Sequence, residues 1–151
     1  MVGRMVDIRY EQIDLELFNS YELLRMKAYK KEKLEESISN NYFIKLMLGK
    51  MMIVGLYLNN VLVGGLYLSL NRDYLFVEQL FIDCKYHNSG LRLGRYLLNN
   101  TIINKDMIIN YFNKDYNSVK LIGYDDKSKS IYKSIGFDYE NNNIMLVKRI
   151  F

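Results

Sequence analysis

The sequence is poor in the residues that mark disulfides, metal centres and membrane spans. It holds one cysteine, so an internal disulfide is excluded and a reducing compartment is expected. No cluster of cysteine and histidine suggests a metal, and we expect none. No apolar run reaches about 18 residues and no signal-peptide pattern opens the chain, which predicts a soluble cytoplasmic protein without a membrane partner. Proline is absent as well, and its absence says little about chemistry.

Half of the 151 residues are apolar, which is enough for one well-buried core and short for two. We therefore expect a single domain over residues 1–151. The net charge of +4 favours anionic ligands in a general way. That charge is too small to imply nucleic acid by itself, although association with tRNA stays open. The oligomeric state is open too, a homodimer included.

Residues 74–100 carry the most informative pattern, a strand that runs through a polar loop into a helix. Tyr74–Ile82 is mostly apolar on both alternating faces, which is typical of a central strand covered on both sides. One predicted face holds Phe76, Glu78, Leu80 and Ile82, and the other holds Leu75, Val77 and Phe81. The loop 85–90 is polar, and apolar residues then recur at helical spacing from a start near 91–94.

The start of this helix is a candidate anion site. Its first turn leaves unpaired N–H groups at the positive end of the helix dipole. Gly90 and Gly94 allow a ligand to approach the backbone closely, and a pyrophosphate suits such a place. The alternative is a plain strand, turn and helix in which the glycines only relieve a tight corner.

Residues 78–83 (Glu-Gln-Leu-Phe-Ile-Asp) and 86–90 (Tyr-His-Asn-Ser-Gly) resemble the fourth strand and acyl-CoA loop of the GCN5-related N-acetyltransferase (GNAT) superfamily. The family's loop reads Arg/Gln-x-x-Gly-x-Gly/Ala. Aligned on the strand, His87 takes the Arg/Gln place, Gly90 the first glycine and Arg92 the second. Aligned on the helix, residues 92–94 take the Gly-x-Gly place instead. In both alignments Arg92 brings a cation that either pairs with a phosphate or obstructs it. Cys84 stands where the family usually has proline.

Residues 125–137 form a second segment that resembles the family. Positions 128, 131, 132 and 135 share a short helix face, and Gly136 is expected to end that helix in a left-handed conformation. The family's pattern is Asn-x-x-Ala-x-x-Leu-Tyr followed by Gly-Phe. Here Asp125 replaces the Asn and Ser128 replaces the Ala, while Tyr132 agrees. Without the resemblance, Tyr132 is interpreted as an amphipathic core residue with its hydroxyl at the surface.

The first part of the chain predicts a strand, helices and a hairpin. A strand is predicted at 5–10, followed by a helix that Asp14 caps. The apolar stripe predicted for this helix consists of Leu15, Phe18, Leu23 and Leu24. The charge-rich segment 27–36 is typical of a solvated helix face. Strands at 51–58 and 61–70 are joined by two asparagines, which suits a tight hairpin, and a second turn leads into the strand at 74–82.

The second part of the chain completes the sheet. Residues 105–116 form either an extra helix or a long insertion. A strand at 118–124 is expected to lie parallel to the strand at 74–82, because a helix crosses between them. A strand at 144–147 comes last. The resemblance implies an α+β fold with a GNAT-like mixed, mostly antiparallel twisted sheet of six to seven strands, helices on both faces and a splayed central parallel pair.

The resemblance further implies an acetyl-CoA-dependent N-acetyltransferase, an acyltransferase that moves acetyl to a primary amine by direct attack. Tyr132 is the implied general acid for the CoA thiolate, and the backbone N–H of Leu80 is the implied oxyanion donor. Glu78 is the one carboxylate inside the strand and the candidate base. The alternative is a glutamate that reaches solvent or pairs with a lysine, in which case an ordered water serves as the base.

The implied cofactor-binding residues lie in the strand end, the loop with the helix start, and the second segment. They are Leu80, Phe81, Ile82, His87, Asn88, Ser89, Gly90, Leu91, Arg92, Leu93, Gly94, Arg95, Asp125, Ser128 and Tyr132. Two other classes of protein remain: a catalytically silent acyl-CoA-binding domain and a protein associated with tRNA or other nucleic acid. The acceptor amine is not predicted by these residues.

Overall fold

The computed structural model describes residues 5–30, 36–87, 92–140 and 145–149. Its elements, in chain order, are β1 (Val6–Arg9), α1 (Leu15–Ala28), α2 (Glu36–Met47), β2 (Met51–Leu58), β3 (Val61–Asn71), β4 (Tyr74–Ile82), α3 (Leu93–Ile103), α4 (Lys105–Phe112), β5 (Ser118–Ile122), α5 (Asp126–Ser134), β6 (Asp138–Tyr139) and β7 (Met145–Arg149). A short 3-10 turn, Cys84–Tyr86, follows β4.

The strands form one seven-stranded sheet in the order β1-β2-β3-β4-β5-β7-β6. Strands β1 to β4 make an antiparallel meander, β4 and β5 are parallel, and the remaining pairs are antiparallel. Asn59 and Asn60 turn the β2–β3 hairpin with positive φ angles of 50° and 67°, which asparagine tolerates. The predicted mixed sheet, the hairpin and the parallel pair are thereby confirmed.

Helices cover both faces of this sheet. On one face, residues of α1 and α2 pack with Tyr67 and Phe81 in a buried cluster that includes Phe18 and Leu46. On the other face, α3 and α4 bury their apolar sides in a larger cluster with β2 to β5 and β7. The sheet is therefore the middle layer, as the doubly apolar pattern of β4 indicates.

Helix α1 buries a different side from the one predicted. Asp14 caps it as expected, since its side chain accepts the Leu17 N–H at 2.8 Å. Leu15 and Leu23, however, are 56% and 63% exposed, so the predicted stripe is wrong for those two residues. The buried side contains an ion pair in their place, because Glu22 and Arg25 bond each other at 2.9 and 3.0 Å. Side chains of Ser39 and Tyr67 also donate to Glu22, so the buried carboxylate is well supplied with donors.

Several bounds differ from the prediction at strand ends. Residue 5 and residue 10 lie outside β1, and β5 stops at Ile122 instead of 124. The segment 105–116 contains the extra helix α4. The last part of the sheet is a pair of strands, β6 and β7, where one strand at 144–147 is predicted, and residue 144 lies outside the described part. Among the described residues, no helix combines the length and apolar character that crossing a membrane requires.

Candidate active-site cleft

Strands β4 and β5 separate after a short paired stretch. Their ladder runs only from Tyr74 opposite Ser118 to Phe76 opposite Lys120. Strand β4 continues to Ile82, and β5 continues to Ile122 while it pairs with β7. Beyond Phe76, the edge of β4 that faces β5 is therefore open over its last six residues in the described structure. The predicted splayed pair is confirmed.

A β-bulge at Glu78 changes which way the side chains of β4 point. Tyr67 pairs with Gln79 and Leu68 pairs with Val77, so Glu78 is the extra residue on β4. Val77 lies in the cluster on the α3 face, and Phe81 lies in the cluster on the α1 and α2 face.

The faces predicted for β4 are therefore wrong beyond the bulge. Leu80 and Ile82 lie on the same face as Leu75 and Val77, whereas simple alternation places them opposite.

Glu78 consequently points away from the open edge and toward α2. Its carboxylate accepts the Ser69 hydroxyl at 2.8 Å and lies 3.6 Å from the Lys45 ammonium. Its neighbour Gln79 also points to α2 and donates to the Tyr42 hydroxyl at 2.8 Å. Glu78 lines a separate cavity of about 390 Å³ beside Lys45. The candidate base is thus engaged with a lysine, as the alternative interpretation has it.

The open edge of β4 presents the backbone groups of Leu80 and Ile82. The Asp83 N–H donates to Val63 of β3 at 2.7 Å, and backbone direction alternates along a strand. The groups of Leu80 and Ile82 therefore point away from β3, into the gap. Two side chains reach them there: the Tyr29 hydroxyl donates to the Leu80 carbonyl at 3.0 Å, and His87 Nε2–H donates to the Ile82 carbonyl at 2.6 Å.

A cleft of about 720 Å³ extends from this edge to the start of α3 and the side of α5. Its volume falls within the range of small-molecule sites, about 300–1,000 Å³. It brings together most of the residues that the sequence analysis singled out: Leu80, Phe81, Ile82, His87, Arg92, Leu93, Gly94, Arg95, Asp125, Ser128 and Tyr132. Asn88, Ser89, Gly90 and Leu91 lie outside the described residues.

Arg92 occupies the N-cap of α3 in a left-handed conformation, with φ 51° and ψ 46°. A left-handed conformation strains a residue such as arginine but not glycine, and both alignments place Arg92 where the family has a glycine. Its guanidinium makes no hydrogen bond or ion pair within the described ranges, and it lines the cleft. At Gly94, an added Cβ would meet only Ile82, at 3.6 Å, so the first turn of α3 is bare on this side.

Tyr132 lines the cleft from α5, with its ring 6.2 Å from that of Phe137. Burial, and then the proximity of Asp125 and Tyr124, raises the pKa of Tyr132, so its hydroxyl keeps its proton at neutral pH. Asp125 caps α5 by accepting the Ser128 N–H at 2.7 Å. That hydrogen bond holds the pKa of Asp125 below its usual range. Asp125 thus caps the helix as an asparagine at this position would.

The end of α1 forms a wall of the cleft that no sequence motif predicts. Ala28 and Tyr29 line it, and burial raises the pKa of Tyr29 to about 12. Two residues before Tyr29, the Lys27 ammonium pairs with Asp83 at 3.2 Å, which ties α1 to the end of β4. These contacts span 51 and 56 residues, so no local pattern in the sequence signals them.

Solved structures with the same architecture include several acetyltransferases. An acetyltransferase from Thermus thermophilus superposes with a TM-score of 0.73 at 15% identity, over 96% of this chain and 97% of that one. The ribosomal-protein-S18-alanine N-acetyltransferase from Escherichia coli has a TM-score of 0.70 at 16% identity, over 97% and 94%. The PaiA N-acetyltransferase from Thermoplasma acidophilum, in complex with coenzyme A, has 0.67 at 16%, over 96% and 99%.

The chain therefore has the GNAT fold, as the resemblance implies. No family model matches the sequence, and no curated protein matches it. Identities of 12–16% establish the fold alone, so the activity has to be argued from the cleft.

Proposed function

We propose that the protein is an N-acetyltransferase, a single acyl-CoA N-acyltransferase domain over residues 1–151, which transfers acetyl from acetyl-CoA to a primary amine. One observation carries the proposal: the open edge of β4, the bare start of α3 and the Tyr132 hydroxyl share one cleft. The GNAT fold supports it, and so does the coenzyme A bound to the Thermoplasma neighbour.

The cleft suits the two chemically different parts of acetyl-CoA. The phosphates lie at the N-terminus of α3, where the helix dipole, Arg92 and Arg95 supply positive charge. The pantetheine arm lies along the open edge of β4 as an added strand and exchanges hydrogen bonds with the backbone of Leu80 and Ile82. This placement puts the thioester beside Leu80, at the end of the arm away from the phosphates.

The reaction then needs an oxyanion donor and an acid. The neutral amine attacks the thioester carbonyl, and the N–H of Leu80 donates to the oxygen that becomes negative. As the C–S bond breaks, Tyr132 gives its proton to the departing thiolate. The amine's own proton passes to water in the cleft, because Glu78 is paired with Lys45 and faces α2.

A catalytically silent CoA-binding domain is the second candidate. Two substitutions favour it, since Arg92 is a strained cation where the family has glycine and Asp125 stands where it has asparagine. Such a domain binds CoA at the same cleft without turnover. Measuring both binding and acetyl transfer separates the two candidates.

Paired variants of Tyr132 and Glu78 test the mechanism. Release of CoA thiol from acetyl-CoA is measured with a panel of primary amines that includes a polyamine and a lysine peptide. Tyr132→Phe lowers kcat by about ten-fold or more, because the thiolate then leaves without a donated proton, and general acid–base catalysis typically contributes about 10²–10⁴-fold. Glu78→Gln is the matched control, and its kcat stays close to that of the unmodified protein. An unchanged kcat in Tyr132→Phe removes that residue from the mechanism, and a large loss in Glu78→Gln restores Glu78 as the base.

A further inference from the structure

The Leu80 carbonyl, which faces the gap, takes its hydrogen bond from a side chain of the protein itself. The donor is the Tyr29 hydroxyl, 3.0 Å away. On the next outward carbonyl, that of Ile82, His87 makes the same kind of bond at 2.6 Å. Since an added strand bonds to an edge through these same backbone groups, Tyr29 stands where a donor of the incoming arm would stand.

The position of Tyr29 allows its hydroxyl both to make this hydrogen bond and to release it. It follows the last residue of α1, its N–H bonds the Arg25 carbonyl at 3.1 Å, and Lys27 anchors the same turn to Asp83. Its raised pKa, about 12, keeps the hydroxyl protonated and therefore a donor at neutral pH. Yet the residue is 46% exposed, so its ring can swing outward without opening the core.

We propose that Tyr29 is a displaceable cap on the Leu80 carbonyl, and that the cleft thereby selects an occupant whose extended arm supplies its own amide N–H donor. This inference rests on the proposed function, because it names the part of acetyl-CoA that the open edge recognises. A ligand with phosphates alone leaves Tyr29 in place. A ligand with an amide-bearing arm replaces the Tyr29 hydroxyl. The affinity of that ligand is then lowered, because the hydrogen bond that Tyr29 makes in the free protein has to be broken.

Tyr111 provides a matched control. Its hydroxyl also donates to a backbone carbonyl, that of Met51, at 2.7 Å, and the residue is 42% exposed. It does not line the cleft. Tyr29→Phe and Tyr111→Phe therefore remove the same kind of hydrogen bond from equally exposed tyrosines, and only the first changes the open edge.

The experiment measures Kd by titration calorimetry for two probes, CoA and adenosine 3′,5′-bisphosphate, which carries phosphates without the arm. For Tyr29→Phe we expect CoA to bind about three- to ten-fold more tightly, since one neutral hydrogen bond no longer has to be broken. The Kd of the bisphosphate stays unchanged in that variant. In Tyr111→Phe both Kd values stay unchanged.

Each other outcome is decisive. Weaker CoA binding by Tyr29→Phe makes Tyr29 a ligand contact and overturns the cap, and so does an equal Kd; in both cases the proposed function still stands. Tighter binding of both probes shows a general opening of the cleft and also overturns the cap. If CoA binds with the expected shift but no amine is acetylated, the cap stands and the proposed catalysis fails. If neither the unmodified protein nor Tyr29→Phe binds CoA, both proposals fall.

Discussion

Substitution of Arg92 separates the backbone's effect from that of the cation at the start of α3. Arg92→Gly and Arg92→Ala both remove the guanidinium. Of the two replacement residues, only glycine adopts a φ of 51° without strain, so alanine keeps the backbone strain that arginine has. The difference in unfolding free energy between the two variants therefore reports the effect of the backbone alone. The change in CoA affinity that both variants share reports the effect of the charge.

The size of the backbone effect follows from two opposing terms. A left-handed conformation costs a residue with a Cβ about 1–2 kcal/mol. Glycine loses about 0.5–1 kcal/mol more than alanine in conformational entropy on folding. Taking the middle of both ranges, the free energy of unfolding of Arg92→Gly should be about 0.5–1 kcal/mol higher than that of Arg92→Ala. For a chain of this size that corresponds to roughly 1–4 °C in Tm.

Thermal melts and urea titrations, both followed by circular dichroism, measure the stability of the variants. Calorimetric titration with CoA measures how much the charge of Arg92 contributes to CoA affinity. Loss of a charged hydrogen bond to phosphate should weaken CoA binding by about ten-fold or more in both variants. Equal stability of the two variants would refute the reasoning about the left-handed N-cap. Tighter CoA binding would show that Arg92 obstructs the phosphates instead of pairing with them.

The remaining predictions concern the supports of the cleft. Burial alone would raise the pKa of Asp83, but the hydrogen bond from the Lys85 N–H and the ion pair with Lys27 outweigh it and hold the pKa low. The stabilising effect of the Asp83 carboxylate is present above the unfolded pKa of about 4 and is lost as pH falls through the lower folded value. Asp83→Asn should therefore be less stable than the unmodified protein at pH 7, and the difference in unfolding free energy should shrink as the pH falls below about 4, as measured by urea titration. Gly65→Ala should lose about 1–3 kcal/mol of unfolding free energy, because its Cβ would lie 2.4 Å from the buried Phe81 ring. Gly94→Ala, which meets only Ile82 at 3.6 Å, is its control and should lose no stability.

Local patterns predicted the elements on which the cleft is built. The mostly apolar run of Tyr74–Ile82, the recurrence of leucines after 92 and the left-handed Gly136 are all local in the chain, and all are present in the structure. Asp14 was predictable for the same reason, since a cap acts within one turn. Interactions between residues that are close in the sequence account for these elements.

Two features of the cleft had no local signal. The apolar residues before and after the polar pair Glu78–Gln79 occupy both predicted faces, so the pattern does not show that a residue is inserted between them. Strict alternation therefore placed Glu78 with Leu80, and the extra residue turned it toward α2 instead. Tyr29 lies 51 residues from the carbonyl to which it donates, inside the charge-rich segment 27–36, whose composition is typical of solvent exposure. Only the tertiary packing of α1 brings it to β4.

The most direct test of acetyl-CoA binding by this cleft is a thermal melt with and without the ligand. At about 100 times its Kd, a ligand that binds only the folded state adds roughly 2.7 kcal/mol to the free energy of unfolding. That is a rise in Tm of about 5–11 °C for a chain of this size. A Tm that stays the same at millimolar acetyl-CoA would contradict the assignment of the cleft to an acyl-CoA.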